Sequence, residues 1–115
     1  MTPFGLALHG LRRDRRLPQK QLASMLELDQ SYLSGLESGR KGSPPASLVQ
    51  RLKVALDLSE AEASALQRAA DLSRRKVEIP QCAEPDEYVL VYSIIERIGQ
   101  LKPAQVRAIQ EVLKC

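Results

Sequence analysis

Between Gln19 and Gly39 the chain reads QKQLASMLELDQSYLSGLESG, and directly after it comes Arg40-Lys41-Gly42-Ser43. Gln30, Ser31 and Ser34 are short polar residues suited to hydrogen bonding with an extended polar surface. A Gln amide can donate and accept at once, which matches the N6/N7 edge of adenine in a major groove. Arg40 and Lys41 carry the fixed positive charge that a phosphate backbone attracts. Bond-making chemistry has no comparable basis. The chain contains no nucleophile–base–orienter set, no paired-carboxylate site and no phosphate-cradling glycine loop, and Gly39-Arg40-Lys41-Gly42 does not fit a Walker pattern. An enzyme is the least favoured class. With a single histidine, His9, and two cysteines, Cys82 and Cys115, at no ligand-like spacing, neither a metal nor a cofactor is expected. Both cysteines read as ordinary thiols, with a redox switch as the sharper alternative.

Base-reading side chains need a rigid element that fits a groove about 12 Å wide, which an α-helix does. The segment supplies one. Leu22, Ala23 and Leu26 place one apolar face on a helix from about Pro18 to Leu26. After a short break, Asp29 stands at an N-cap position before a second helix, Gln30 to Glu37, with Leu33 and Leu36 turned inward and Gly39 closing it.

Helical signals recur along the whole chain. Thr2-Pro3 opens a helix carrying Phe4, Leu8 and Leu11, weakened by Gly5 and Gly10, and ending in Arg12, Arg13, Arg15 and Arg16. Those arginines suit either a dipole-matched helix end or phosphate contact. Another helix covers about Ala46 to Leu56, with Leu48, Val49, Leu52, Ala55 and Leu56. Ser59-Glu60-Ala61-Glu62 is a capping box that opens a fifth helix to about Arg75. The only β-like alternation, Lys76 to Ile79, is short and ends at Pro80. Pro80 to Pro85 reads as linker. Two further helices are expected, one from Asp86 to Gly99 and one beginning at Pro103.

At this point the sequence resembles the Cro/CI-type helix-turn-helix regulators, also called the XRE or lambda-repressor-like family. The resemblance rests on Leu11-Arg12, Gln19, Leu22-Ala23, Leu26, Gln30-Ser31-Tyr32-Leu33-Ser34, Leu36-Glu37 and Gly39, continues through Leu48, Leu52, Ala55 and Leu56, and covers about Thr2 to Leu72. It implies that Gln30 and Ser31, at the start of the recognition helix, face base edges, with Ser34 beside them. It also implies that Gln19 contacts a phosphate, that Tyr32 lies near the sugar-phosphate backbone, and that Arg40, Lys41 and Ser43 form a phosphate-gripping loop, with Arg15 and Arg16 as further backbone candidates. Tyr32 packed against the bundle is the competing reading. Four residues depart from the family pattern. Pro18 replaces a capping Thr or Ser. Glu27 and Asp57 replace turn glycines, where a left-handed φ would cost energy or be reshaped. Gly35 replaces a long side chain on the recognition helix, which thins readout there or permits close backbone approach.

Composition agrees with a nucleic-acid partner. The 115 residues hold 17 Lys+Arg and 14 Asp+Glu, a formal net charge of +3. Residues 1–76 hold 13 basic against 8 acidic side chains, a balance of +5, and residues 77–115 a balance of −2. With three Tyr, one Phe and no Trp, single-stranded nucleic acid lacks a stacking platform. No apolar run is long enough to span a membrane and the N-terminus has no secretory pattern, so a cytoplasmic location is expected.

The expected architecture is all-α: a five-helix lambda-repressor-like domain over residues 1–76, a linker over 77–85, and a two-helix segment over 86–115. Two helices bearing Tyr88, Val91, Tyr92, Ile95, Ile98, Val106, Ile109 and Leu113 rarely satisfy themselves alone. Dimerisation across a two-fold axis buries this surplus; folding back on the N-terminal domain is the competitor. The expected function is a sequence-specific double-stranded DNA-binding regulator, a homodimeric repressor reading a near-palindromic operator. The alternative is an antitoxin-like or adaptor protein whose C-terminal helices bind another protein.

Overall fold

The structure is a computed structural model describing residues 1–115. All of its regular elements are helices: α1 (Pro3–Asp14), α2 (Gln19–Met25), α3 (Gln30–Ser38), α4 (Ala46–Ala55), α5 (Glu60–Leu72), α6 (Pro85–Arg97) and α7 (Pro103–Leu113). The all-α expectation is borne out. The Lys76–Ile79 alternation forms no strand. The chain separates into two compact units, Met1–Val77 and Glu78–Cys115.

In the first unit α1 packs on α3 and α5, α2 on α3, and α4 on α5. Each helix turns its 3–4-spaced apolar stripe to one centre, built from Phe4, Leu8, Leu22, Leu26, Leu33, Leu36, Leu52 and Leu66, all essentially inaccessible. Full burial of each such side chain is worth roughly 1.5–3 kcal/mol, an upper figure because unfolded chains already bury some apolar surface. Gly5 lies in this packing. A Cβ there would stand 2.4 Å from the Glu37 carbonyl oxygen and 2.6 Å from that of Leu36. What reads in sequence as a helix-weakening residue is the point where α1 crosses the end of α3.

The helix ends are met in different ways. Thr2 Oγ1 accepts from the Gly5 N–H at 3.0 Å, and the Phe4 N–H donates to buried Ser73 Oγ at 2.8 Å, tying the start of α1 to the end of α5. The Ser59–Glu62 capping box forms as expected. Helix α5 stops at Leu72, short of the expected Arg75. Pro18 stands at the N-cap of α2, where it offers no side-chain bond, and Asp29 at the N-cap of α3 also makes none.

Three helices end in a left-handed turn made without glycine. Arg16, Glu27 and Asp57 adopt φ of 51°, 56° and 50°. Behind them the N–H groups of Leu17, Leu28 and Leu58 reach back to the carbonyls of Arg12, Ala23 and Lys53 at 3.0, 2.9 and 2.9 Å. This is the Schellman arrangement, with a leucine folded onto the core as its hydrophobic partner. The left-handed turns at Glu27 and Asp57 are therefore kept rather than reshaped. The Arg51 guanidinium also donates to the Leu26 carbonyl at the end of α2.

In the second unit Pro85 opens α6 instead of closing the linker. The N–H of Glu84 donates to Glu87 Oε1 at 2.8 Å, and that of Lys102 to Gln105 Oε1 at 2.9 Å. No residue of α6 or α7 is buried. Leu90, Ile94, Leu101 and Ile109 line the groove between the two helices.

Candidate nucleic-acid interface

Helix α3 presents two unlike faces. Leu33, Leu36 and Glu37 point into the bundle. At 100° per residue, Ser31, Gly35 and Ser38 lie on the opposite side, with Gln30 and Ser34 along one edge and Tyr32 along the other. Gln30 and Ser31 are exposed in the first turn, while Ser34 is half-buried.

The inner face holds an ionic centre that the sequence reading missed. The Glu37 side chain is 6% exposed. Its carboxylate accepts from Arg12, which is itself largely covered, from His9 Nδ1 at 3.0 Å, and from Gln19 Nε2 at 3.2 Å. Burial pushes the Glu37 carboxyl up, but the hydrogen bonds from Arg12, His9 and Gln19 outweigh it and hold the group below the usual carboxylate range. The signal was present: Glu37 falls four residues after Leu33, and Arg12 four after Leu8. Two opposite charges each continue a buried apolar stripe.

Gln19 bridges this centre to the outer edge. Its Nε2 serves Glu37, and its Oε1 accepts from Gln30 Nε2 at 3.4 Å. The phosphate role implied for Gln19 is therefore joined to a positioning role for Gln30.

Several expected backbone contacts are placed differently. Arg15 is engaged within the bundle: Nε donates to the Leu56 carbonyl at 3.2 Å, Nη1 to that of Leu11 at 3.4 Å, and Nη2 to Glu62 Oε2 at 3.3 Å. Its guanidinium joins α1 to α4 and α5, and these bonds compete with the phosphate contact expected of it. Ser43 donates its hydroxyl to the Ala70 carbonyl at 2.7 Å, so that proton is also engaged. Tyr32 is half-buried against the core and lines a cleft with Leu28, Pro45, Leu48 and Arg51. Arg16 and Lys41 are exposed and make no ion pair.

Gly39 takes φ 89° at the end of α3 and packs so closely on the chain start that a Cβ would lie 2.9 Å from the Thr2 nitrogen. Arg75, which was not singled out in sequence, donates to the Gly39 carbonyl and, at 3.3 Å, to that of Arg40. It fixes the backbone from which Arg40 and Lys41 project. Arg40 does not extend away from α3. Its Nη2 returns to the Ser31 carbonyl at 3.4 Å, and its guanidinium lies over Gly35.

In the second unit Tyr88, Tyr92, Ile95, Ile98, Val106, Ile109 and Leu113 are all exposed, whereas Val91 is half-buried.

A brace helix, a turn, and a second helix with a polar outer edge and a cationic loop after it define a helix-turn-helix unit. The helix-turn-helix domain family matches residues 3–66, and the chain belongs to it. The Cro/CI-type resemblance is thereby supported. A relative from Bacillus subtilis (strain 168), described as the uncharacterized HTH-type transcriptional regulator RghRB, is 36% identical over 56 residues. The matched stretch is 49% of this chain and 40% of that protein, so well under half of the relative is covered. No solved structure matches the chain. No helix is long and apolar enough to cross a membrane.

Proposed function

We propose that the chain is a sequence-specific, double-stranded DNA-binding transcriptional regulator that inserts α3 into the major groove. The observation that carries this reading is the first turn of α3: Gln30 and Ser31 are exposed at its outer edge, with Gln30 held by Gln19. Gln30, Ser31 and Ser34 read bases. Gln19, Arg16 and Lys41 contact phosphates and supply much of the affinity, as lysines and arginines do on any duplex.

The chain acts as a homodimeric repressor. Tyr88, Tyr92 and Ile95 recur at spacings of four and three along α6, and Val106, Ile109 and Leu113 at three and four along α7, all of them exposed. A two-fold contact through these faces buries apolar surface that the hairpin leaves open. Two recognition helices then meet half-sites roughly 34 Å apart on a near-palindromic operator.

Footprinting on duplexes flanking the chain's own gene tests the reading. Protection of two half-sites one helical turn apart is expected. Salt-sensitive binding without a preferred site contradicts it, and stable co-purification with another protein through α6 and α7 favours an adaptor or antitoxin-like role.

A further inference from the structure

We propose that Arg40 is a base-reading residue, reaching guanine across the gap left by Gly35. The proposal rests on the DNA-binding reading above and deepens it by naming a specificity determinant outside the helix.

Gly35 occupies the centre of the outer face of α3, between Ser31 and Ser38 one turn to either side. A side chain there would point straight into a groove. Instead the space above Gly35 is taken by the following loop. A Cβ at Gly35 would lie 2.7 Å from Lys41 Cγ and 3.0 Å from Arg40 Nη2. The loop is held in this folded-back course from both sides. The Lys41 N–H donates to the Gly35 carbonyl at 3.0 Å, and Arg75 binds the Gly39 and Arg40 carbonyls from behind. The backbone is fixed, and the Arg40 side chain runs along the outer face toward Ser31.

The guanidinium that arrives there is largely unused. It carries five N–H donors. One, on Nη2, makes a long 3.4 Å bond to the Ser31 carbonyl, and no carboxylate pairs with the group. A planar fork on the groove side of a recognition helix matches the O6/N7 edge of guanine, which accepts two parallel hydrogen bonds. Phosphate attraction is left to other exposed cations without an ion pair, Arg16 and Lys41, the Lys41 stem also lying against Gly35. Gly35 is thus a positioning residue for Arg40: a Cβ there would crowd the Lys41 stem and press on the guanidinium, and a longer side chain would compete for its place.

The test begins by selecting the preferred duplex of the full-length wild-type protein from a random pool. Binding of wild type, Arg40→Lys, Arg40→Ala, Lys41→Ala and Gly35→Gln is then measured on that duplex and on every single base-pair variant of it. Arg40→Lys keeps the charge but loses the fork, so it separates base reading from phosphate attraction. Both Arg40 variants are expected to lose preference at one G·C pair per half-site, by roughly 5- to 150-fold, while Lys41→Ala weakens all duplexes alike. Gly35→Gln is expected to change the preferred base at that same pair. Replacing that guanine with 7-deazaguanine, which lacks the N7 acceptor, lowers wild-type binding but not that of Arg40→Ala. The assignment is overturned if Arg40→Lys keeps the wild-type base preference, or if Arg40→Ala loses affinity evenly. A wild type that selects no duplex overturns the DNA-reading function as well, so the two failures are distinguishable.

Discussion

Arg12 meets Glu37 side-on: Nε donates to Oε2 at 3.0 Å and Nη2 to Oε1 at 2.9 Å. The pair joins α1 to α3 on the inner face, beneath the edge that carries Gln30. Arg12 also donates through Nη1 to the Leu17 carbonyl at 3.0 Å, so one guanidinium holds the recognition helix and the turn before α2 together. Coulombic attraction alone does not make a covered pair favourable, since both charges lose water. Its geometry and remaining hydrogen bonds decide the balance.

Removing Arg12 leaves the covered Glu37 carboxylate with only His9 and Gln19 as partners. Arg12→Ala is expected to lower unfolding stability by about 3–5 kcal/mol. Urea denaturation of the isolated protein measures this, and a loss below about 1 kcal/mol would show that water replaces the guanidinium without cost.

The same centre makes stability depend on acid. The folded Glu37 carboxyl lies below the ordinary carboxylate range, so the folded state resists protonation that the unfolded chain accepts. The contribution is full above the unfolded value, about 4.3, and is lost as pH falls from there through the folded value. Glu62, lowered by the Ser59 backbone N–H and by Arg15, acts in the same direction. Glu37→Gln is expected to flatten the fall in melting temperature between pH 5 and pH 3. Parallel curves for variant and wild type would assign the acid sensitivity elsewhere.

Gln30→Ala is expected to remove discrimination at one base pair of each half-site, at a cost of about 1–3 kcal/mol. The melting temperature should hardly change, because the side chain is exposed and its bond to Gln19 is long. Binding to a panel of single-substitution duplexes checks this, and an unaltered preference profile excludes Gln30 from base reading.

Deleting residues 81–115 is expected to leave a folded monomer with weak operator affinity. The first unit keeps its own core, while the deletion removes both helices with unburied apolar faces. Analytical ultracentrifugation reads the outcome. A truncated chain that still sediments as a dimer would move the two-fold contact into the first unit.

The helices and their inward faces were legible because apolar spacing, capping residues and Pro at N1 are local signals. The Thr2 and Ser59 caps lie within three residues of their partners. What stayed hidden depends on residues distant in the chain. Arg15 finds Glu62 across 47 positions and Ser43 finds Ala70 across 27, so each reads in sequence as a free surface group. The turn at Arg16 also escaped a glycine-based reading, since the leucine after it supplies the packing that offsets the left-handed φ. Gly35 was visible as a missing side chain, but its replacement by a loop arginine required the path of the chain beyond Gly39.

The contacts from Glu37 through Gln19 to Gln30 have a direction. A carboxylate can only accept, so Gln19 must turn its NH2 inward, and its oxygen is left facing Gln30. Gln30 must then answer with an N–H, which leaves one N–H and one oxygen free at the outer edge. Such a pair can serve the N6/N7 edge of adenine, the kind of contact proposed for Gln30. An ionised acid inside the bundle thereby sets the polarity of an amide at its surface, two side chains away. Protonating Glu37 would remove the constraint and allow both amides to reverse.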